Sequence, residues 1–283
     1  PVTLKESFAV KGLPTVWGNQ GFPSTPSPEN SAVAERLSAA GAIILGKTNT
    51  STMLANWDSD NPVYGRTCNP WNLDRVPGGS SGGAAAALSS GLTFLDVGSD
   101  LGGSIRQPAA NCGVSGHKPT AGVVPQRGHI PTGAPSVMQV VMPQMASLSE
   151  LPVAGPMARS ANDLKLALNM IGGPDGAASS AFSYQTPPAR QTNLKAFKVG
   201  YAMSHPDAEP DAASIGVLTE LIESLDGRVA RLSKGWPEGV DPRRQRDLRL
   251  YFRATIVTMM TSPEESNEII ELSQKDGPAW AVG

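Results

Sequence analysis

Two short segments rich in glycine and serine constrain the fold of this chain more than any other feature of its sequence. Residues 77–83 read PGGSSGG, and residues 98–106 read GSDLGGSIR. An interior glycine costs stability, so it is typical of positions where the backbone needs a positive φ or must lie close to another group. Both segments are flanked by apolar stretches that suit a helix or a strand. We therefore interpret them as tight turns that direct serine hydroxyls and backbone N–H groups toward one site.

The segments around these turns predict an α/β fold. Asn30 or Ser31 can cap a first helix, and residues 42–45 then predict a buried apolar strand. A second helix is predicted over residues 84–89 and a second strand over residues 93–97. Helices that alternate with apolar strands are typical of a sheet covered by helices. The second glycine-serine segment follows the second strand at its carboxyl end, where ligand sites of such sheets lie.

The rest of the chain continues this alternation. Ser160 and Asp163 form a capping-box pattern that opens a helix over residues 161–171, and residues 172–190 predict a linker or surface loop. A β-α-β unit follows, which we expect to complete the same sheet. Its elements are predicted over residues 197–202, 212–225 and 228–232. Two further helices are predicted, over residues 243–260 and from Ser262 onward.

Composition and charge exclude several classes of protein. The 283 residues are 40% apolar with a net charge of −2, which provides a sizeable core but no attraction to nucleic acid or an anionic membrane. Two cysteines are too few for a disulfide framework and lack metal-site spacing, so we expect reduced thiols and a cytoplasmic location. The uncharged residues 128–149 contain prolines that exclude a regular transmembrane helix. No signal sequence opens the chain, and its abrupt ends predict a fragment.

Other sites associated with glycine-rich or basic segments fit poorly. Residues 78–82 match the G-x-S-x-G nucleophile elbow, but that motif follows a buried strand, which residues 72–77 do not predict. The elbow also needs a histidine base, and a histidine without an evident partner is usually structural. The candidates would be His117, His129 and His205. A phosphate-binding loop lacks its lysine, and the arginines within residues 243–249 alternate with aspartate, which favours a solvated helix face.

A lysine can activate a serine nucleophile in place of a histidine. Burial lowers the pKa of a lysine, and a neutral lysine can accept the serine proton. Lys5 lies in an apolar segment between Leu4 and Phe8, and Lys47 follows the apolar residues 43–45 after one glycine. By this reasoning alone the two lysines are equally good candidates for the base.

Several motifs of the chain are similar to those of the amidase signature family. They are PGGSSGG at 77–83, GSDLGGSIRQPA at 98–109 and GHKPTAG at 116–122, with shorter matches VTLKESF at 2–8, GKTN at 46–49, NPW at 69–71 and GPMARS at 155–160. The resemblance is dense over residues 1–172 and loose beyond them. A match of this length and order is far more specific than any single short pattern.

The resemblance implies a Ser-Ser-Lys triad. Ser104 would be the nucleophile, Ser80 the bridging serine after a cis peptide bond, and Lys5 the general base. The choice between the lysines comes from the family and leaves Lys47 as scaffold. Backbone N–H groups would form an oxyanion hole, and further residues would support the loops. The oxyanion-hole residues would be Leu101, Gly102, Gly103 and Ser104, and the supporting residues Ser81, Asp100 and Arg106.

The resemblance also implies an α/β/α sandwich, in which helices cover both faces of a mixed twisted sheet. Residues 1–172 would form the signature core with the triad, and residues 173–283 would continue the same α/β domain, whose C-terminal part is truncated. The partner would be a small-molecule amide, with no metal or cofactor, no nucleic acid and no membrane. A homodimer is an expected assembly.

The expected activity is hydrolysis of a carboxylic amide to the acid and ammonia or an amine, through an acyl-enzyme on Ser104. One alternative is the amidase subunit of a tRNA-dependent glutamine amidotransferase, which releases ammonia for a partner. The other is a catalytically silent fragment with a binding or assembly role.

Overall fold

The structure, a computed structural model, describes residues 1–132, 152–205 and 210–242. The chain divides into two compact units, Pro1–Thr186 and Pro187–Gly283, and the boundary falls inside the segment predicted as a linker. The helices predicted over residues 243–260 and from Ser262, and the arginines of residues 243–249, lie outside the described residues. No helix in the described part of the chain is long and apolar enough to cross a membrane.

Among the described residues, a mixed five-stranded sheet forms the centre of the first unit. Its strands are Val2–Lys5 (β1), Ile44–Thr48 (β2), Leu95–Asp100 (β5), Ser115–Gly116 (β6) and Val153–Ala158 (β7), and a separate ribbon pairs Asp60–Asn61 (β3) with Gly65–Arg66 (β4). The order across the sheet is β2-β1-β5-β7-β6. β1 runs parallel to both of its neighbours, whereas β7 runs antiparallel to β5 and β6.

Helices cover both faces of this sheet. They are Ala32–Ala39 (α1), Gly82–Ser89 (α2), Arg106–Cys112 (α3) and Ala161–Ile171 (α4). Leu37 of α1 packs in one apolar core with Leu4 of β1, and Leu88 of α2 packs in a second core with Met157 of β7. Because successive strand residues point to opposite faces, Ala158, next to Met157, belongs to the first core. The expected α/β/α sandwich is confirmed.

Two helix starts follow the sequence signals that predict them. Ser31 Oγ accepts a 3.3 Å hydrogen bond from the N–H of Ala34, and Ser160 Oγ accepts one of 3.1 Å from the N–H of Asp163. Each cap binds an N–H that the first turn of a helix leaves unpaired. Helix α4 has the bounds that the capping pattern predicts.

The prediction of a buried strand over residues 42–45 is wrong. The strand begins at Ile44 and continues to Thr48, and the Leu45 side chain is 58% exposed. Leu45 is exposed because β2 is the outer strand of the sheet. Among the described residues, β2 pairs only with β1. A short apolar run does not by itself distinguish a central strand from an outer one.

Strand β5 begins later than predicted and continues into the second glycine-serine segment. Gly98, Ser99 and Asp100 all pair with β7, so the turn starts after Asp100 rather than at Gly98. A Cβ at Gly98 would lie 2.8 Å from Ser81 Oγ, which explains why this strand position is a glycine. Glycine inside a strand is typical of such a close approach.

The second unit contains the predicted β-α-β elements. The strands Lys198–Tyr201 (β8) and Arg231–Lys234 (β9) pair in parallel, and the helix Ala212–Leu225 (α5) connects them with its predicted bounds. The expectation that these strands complete the main sheet is wrong for the described residues, in which β8 and β9 form a sheet of their own. A β-α-β pattern predicts a parallel pair but does not say which sheet that pair joins.

Candidate active site

Lys5 lies at the carboxyl end of β1, between β2 and β5, and its side chain is fully buried. Its Nζ donates a 2.6 Å hydrogen bond to Ser80 Oγ and a 3.1 Å hydrogen bond to Ser99 Oγ. Burial lowers the pKa of Lys5 to about 7, and nearby carboxylates, Asp100 most strongly, oppose this shift. A substantial fraction of the side chain is therefore neutral near pH 7.

Ser80 lies in the first glycine-serine segment, immediately after a cis peptide bond to Gly79. Its hydroxyl is buried beside Lys5. The Ser80 carbonyl accepts a 2.7 Å hydrogen bond from Thr50 Oγ1, and the N–H of Gly79 donates one of 3.0 Å to Gln107 Oε1. These bonds hold the backbone around Ser80 and keep its hydroxyl next to the lysine.

The Asp100 carboxylate organises the second glycine-serine segment. It accepts hydrogen bonds from the N–H groups of Gly103 at 2.9 Å, Ile105 at 3.1 Å and Arg106 at 3.2 Å. The Arg106 guanidinium donates two more, at 3.0 and 2.9 Å. Burial alone would raise the pKa of Asp100, but these donors and the Arg106 charge hold it below its usual value. The ionised carboxylate thus fixes the turn that carries Ser104.

Ser104 is 8% exposed and lies against the first glycine-serine segment. Its carbonyl accepts a 3.1 Å hydrogen bond from the N–H of Ser81, whose hydroxyl donates to the carbonyl of Ser99 at 3.4 Å. These bonds join the two segments. The structure therefore places Lys5 in contact with Ser80, and places Ser104 against the segment that carries Ser80.

The backbone N–H groups of the second glycine-serine segment differ in whether they already donate a hydrogen bond within the protein. The N–H of Gly103 donates to Asp100, so the predicted role of Gly103 in an oxyanion hole would require that bond to open. No acceptor among the described residues binds the N–H groups of Gly102 or Ser104. A Cβ at Gly102 would meet no atom within 4 Å, and Leu101 beside it is half-buried. The space on the side-chain side of Gly102 is therefore open among the described residues.

Lys47, the other candidate base, contacts different groups. Its Nζ donates to the Pro14 carbonyl at 2.6 Å and to Thr15 Oγ1 at 2.9 Å, and it lies 3.8 Å from Glu6 Oε1. Burial lowers the pKa of Lys47 to about 8, and the Glu6 charge opposes the shift. The pKa values alone separate the two lysines poorly. Their hydrogen bonds do separate them, because Lys5 contacts the first glycine-serine segment and the partners of Lys47 lie elsewhere.

The three histidines lie in different surroundings. His129 packs against the rings of Phe8 and Trp17, with centroid distances of 4.7 and 5.4 Å. Burial, with the Lys5 charge as a second cause, lowers the pKa of His129 to about 3. His117 is exposed, and His205 lies in the second unit. Among the described residues, neither His117 nor His129 is hydrogen-bonded to a serine of either segment, and no cluster of metal-ligating side chains occurs.

Four contributors to this site were not predicted: Ser99, Gln107, Thr50 and Asp96. Asp96 is fully buried beside β1, where two threonine hydroxyls donate to it at 2.6 and 3.0 Å, and burial raises its pKa to about 7. Ser99 and Gln107 lie inside the motif at 98–109, which could have identified them. Thr50 and Asp96 have no such local signal, because their partners are distant in the sequence.

Comparison with known proteins identifies the family to which this fold and site belong. Residues 1–254 match the family described as Amidase, which accounts for most of the chain. The chain therefore belongs to the amidase family, as its motifs indicate.

Individual relatives show how far the similarity extends. A glutamyl-tRNA(Gln) amidotransferase subunit from Cyanothece sp. is 40% identical over 203 residues, 71% of this chain and 39% of that protein. The corresponding subunit from Gloeobacter violaceus is 35% identical over 258 residues, 89% of this chain and 48% of that protein. A peptide amidase from Stenotrophomonas maltophilia has a TM-score of 0.66 at 28% identity, covering 83% of this chain and 47% of that one. The chain spans less than half the length of each of these relatives.

Proposed function

We propose that this site hydrolyses a carboxylic amide through an acyl-enzyme on Ser104, with Ser80 as proton relay and Lys5 as general base. The observation that carries the proposal is the 2.6 Å hydrogen bond from Lys5 Nζ to Ser80 Oγ, in a fully buried setting that lowers the pKa of Lys5 to about 7. A neutral lysine can accept a proton, and a serine hydroxyl can accept one proton while it donates another. Membership of the amidase family supports the same roles.

The first half of the reaction acylates the serine. Ser104 Oγ attacks the amide carbonyl carbon, its proton moves to Ser80 Oγ, and the Ser80 proton moves to Lys5 Nζ. The carbonyl oxygen becomes an oxyanion, which the N–H groups of Leu101, Gly102 and Ser104 stabilise. The relay then returns the proton to the leaving nitrogen as the C–N bond breaks. Ammonia or an amine departs.

The second half hydrolyses the acyl-serine ester. Water attacks its carbonyl carbon while the same relay accepts a proton, and the relay then returns this proton to Ser104 Oγ as the C–O bond to Ser104 breaks. The products are the carboxylic acid and the restored enzyme. We assign Ser81, Asp100 and Arg106 to the support of this site, because their hydrogen bonds fix the turn around Ser104.

The proposal also covers the domain organisation, substrate, assembly and cellular location of the protein. Residues 1–172 would form the signature core and residues 173–283 would continue the same domain of a larger fold. The substrate would be a small-molecule amide, and a homodimer is one expected assembly. The two cysteines are free thiols, which supports a cytoplasmic location.

Covalent labelling tests the proposal. A fluorophosphonate should add one phosphonyl group to the folded protein. Ser104 Oγ would attack phosphorus as it attacks a carbonyl carbon in the proposed reaction, and fluoride would leave. Intact mass measures the adduct and peptide mapping locates it. Heat-unfolded protein is the control and should stay unlabelled. A folded sample without an adduct on Ser104 would overturn the proposal in favour of the silent binding or assembly fragment.

Activity should depend on pH through the protonation of Lys5. The base must be neutral, and its pKa is lowered to about 7, so kcat/KM should fall as the pH decreases through about 7 and approach a plateau above it. The Asp96 charge raises the pKa of Lys5, and because the pKa of Asp96 is itself raised to about 7, Asp96→Asn should move this limb of the profile only modestly to lower pH. An activity limb at the usual lysine pKa, or no limb between pH 5 and 9, contradicts Lys5 as the base.

A second candidate is the amidase subunit of a tRNA-dependent amidotransferase. The identity of 40% to an amidotransferase subunit from Cyanothece sp. favours it. Glutamine hydrolysis that requires added partner subunits would support this candidate. Hydrolysis of simple amides by the chain alone, without stimulation by those subunits, would favour the independent amidase.

A further inference from the structure

The chain around Trp57 lies directly on the first glycine-serine segment. A Cβ at Gly79 would lie 2.9 Å from the Asn56 carbonyl oxygen, the Trp57 carbonyl carbon and the Asp58 nitrogen. The turn there is fixed, because the N–H of Asp58 donates to Asn56 Oδ1 at 2.9 Å. Ser59 Oγ then donates a 3.0 Å hydrogen bond to the same segment, at the carbonyl of Gly78. The backbone of Trp57 is thus held against the peptide unit that precedes Ser80.

The Trp57 side chain reaches the second segment. Its indole Nε1 lies 3.7 Å from the position that a Cβ would occupy at Gly103, the residue before Ser104. Trp57 therefore lies against the first glycine-serine segment through its backbone and beside the second through its indole. The residue is 37% exposed, so part of it remains accessible to a ligand.

The position of the indole places it beside the reacting groups. No acceptor among the described residues binds the N–H groups of Gly102 or Ser104, and in the proposed mechanism these groups bind the carbonyl oxygen. Gly103 lies between these two residues. A substituent on the carbonyl carbon would therefore lie within one side-chain length of the Trp57 indole.

We propose that Trp57 determines substrate specificity by favouring amides and acyl groups that carry a flat aromatic or bulky apolar substituent next to the scissile bond. This inference rests on the proposed function of Ser104 as nucleophile. An indole offers a large rigid apolar surface and favourable edge or offset contacts with another ring. A methyl-sized substituent would leave most of that surface uncovered and would gain little from it.

Two serine reagents that differ in one ring test this proposal. Phenylmethanesulfonyl fluoride and methanesulfonyl fluoride both form a sulfonyl ester with Ser104 Oγ and release fluoride. The measured quantity is the ratio of their labelling rate constants at Ser104, from intact mass against time. Because a change in serine reactivity affects both reagents, the ratio isolates recognition of the ring. We expect Trp57→Ala to lower this ratio by roughly tenfold and Trp57→Phe to retain most of it.

A matched tryptophan provides the control. Trp71 is 74% exposed and donates its indole N–H to the Cys112 carbonyl at 2.8 Å, so Trp71→Ala should leave the ratio unchanged. If Trp57→Ala does not fold, Trp57→Leu supplies the same comparison. An unchanged ratio in a Trp57 variant whose Ser104 is still labelled overturns this inference alone. Wild-type protein that resists both sulfonyl fluorides and the fluorophosphonate at Ser104 overturns the proposed function and this inference with it.

Discussion

Replacement of Ser104 by alanine should abolish amide hydrolysis and leave the fold nearly unchanged. The variant lacks the oxygen that forms the acyl-enzyme, so kcat should fall by roughly 10⁴-fold or more, as when other catalytic serines are removed. The carbonyl of residue 104 still accepts its hydrogen bond from Ser81, so the free energy of unfolding should change by less than about 1 kcal/mol. Turnover assays and thermal melts followed by circular dichroism measure the two effects.

The control for this variant is Ser90→Ala, at the exposed end of α2. It should retain full activity and stability. Residual turnover by Ser104→Ala above a tenth of the wild-type rate would assign the nucleophile to another residue. A large loss of stability in the same variant would instead give Ser104 a structural role that its contacts do not indicate.

The second large effect should come from Lys5. Its Nζ binds Ser80 and Ser99 in a fully buried site, and loss of a general base commonly reduces the rate by about 10²–10⁴-fold. We therefore expect Lys5→Ala to lower kcat/KM by that factor. Lys47→Ala should lower it by less than about tenfold, because Lys47 is predicted to be scaffold, although loss of its bonds to Pro14 and Thr15 should reduce stability.

Two further measurements separate catalysis from folding in these lysine variants. Lys5→Met fills more of the buried space, so its melting temperature should exceed that of Lys5→Ala while its activity stays equally low. Added methylamine should restore part of the activity of Lys5→Ala, since a small amine can enter the vacated space and accept the proton. Equal losses for Lys5→Ala and Lys47→Ala, with no rescue of either, would refute Lys5 as the base.

Elements with strong local signals were predicted well. Helices α1 and α4 begin at serine caps that the sequence shows, and α5 has the predicted bounds. The errors in the predicted fold concern which strands pair with each other, not which helices and strands form. The exposure of Leu45 depends on which strand lies at the edge of the sheet, and the extension of β5 through Asp100 depends on pairing with β7. A local window of sequence contains neither fact.

The candidate site could also be predicted only in part, because local sequence signals do not contain its long-range contacts. Local composition alone pointed to the two glycine-serine segments, but the choice of Ser80 and Ser104 among their serines needed the family resemblance. The choice of Lys5 over Lys47 needed the family resemblance, because Lys5 and Ser80 are 75 residues apart and no periodicity links them. The indole of Trp57 beside Gly103 carried no sequence signal, since an aromatic residue in a polar loop is equally typical of a surface anchor.

The position of Lys5 in β1 has a consequence for biosynthesis. A ribosome produces this lysine before its partners, because Ser80 and Ser99 follow 75 and 94 residues later and the neighbouring strand β5 begins only at Leu95. Until those segments emerge, the ammonium remains hydrated and charged, and burying it would be costly. Assembly of the proposed proton relay must therefore wait until the second glycine-serine segment has been translated. Because such long-range pairing is slow, we expect the apolar strands of the nascent chain to be exposed to aggregation until it is complete.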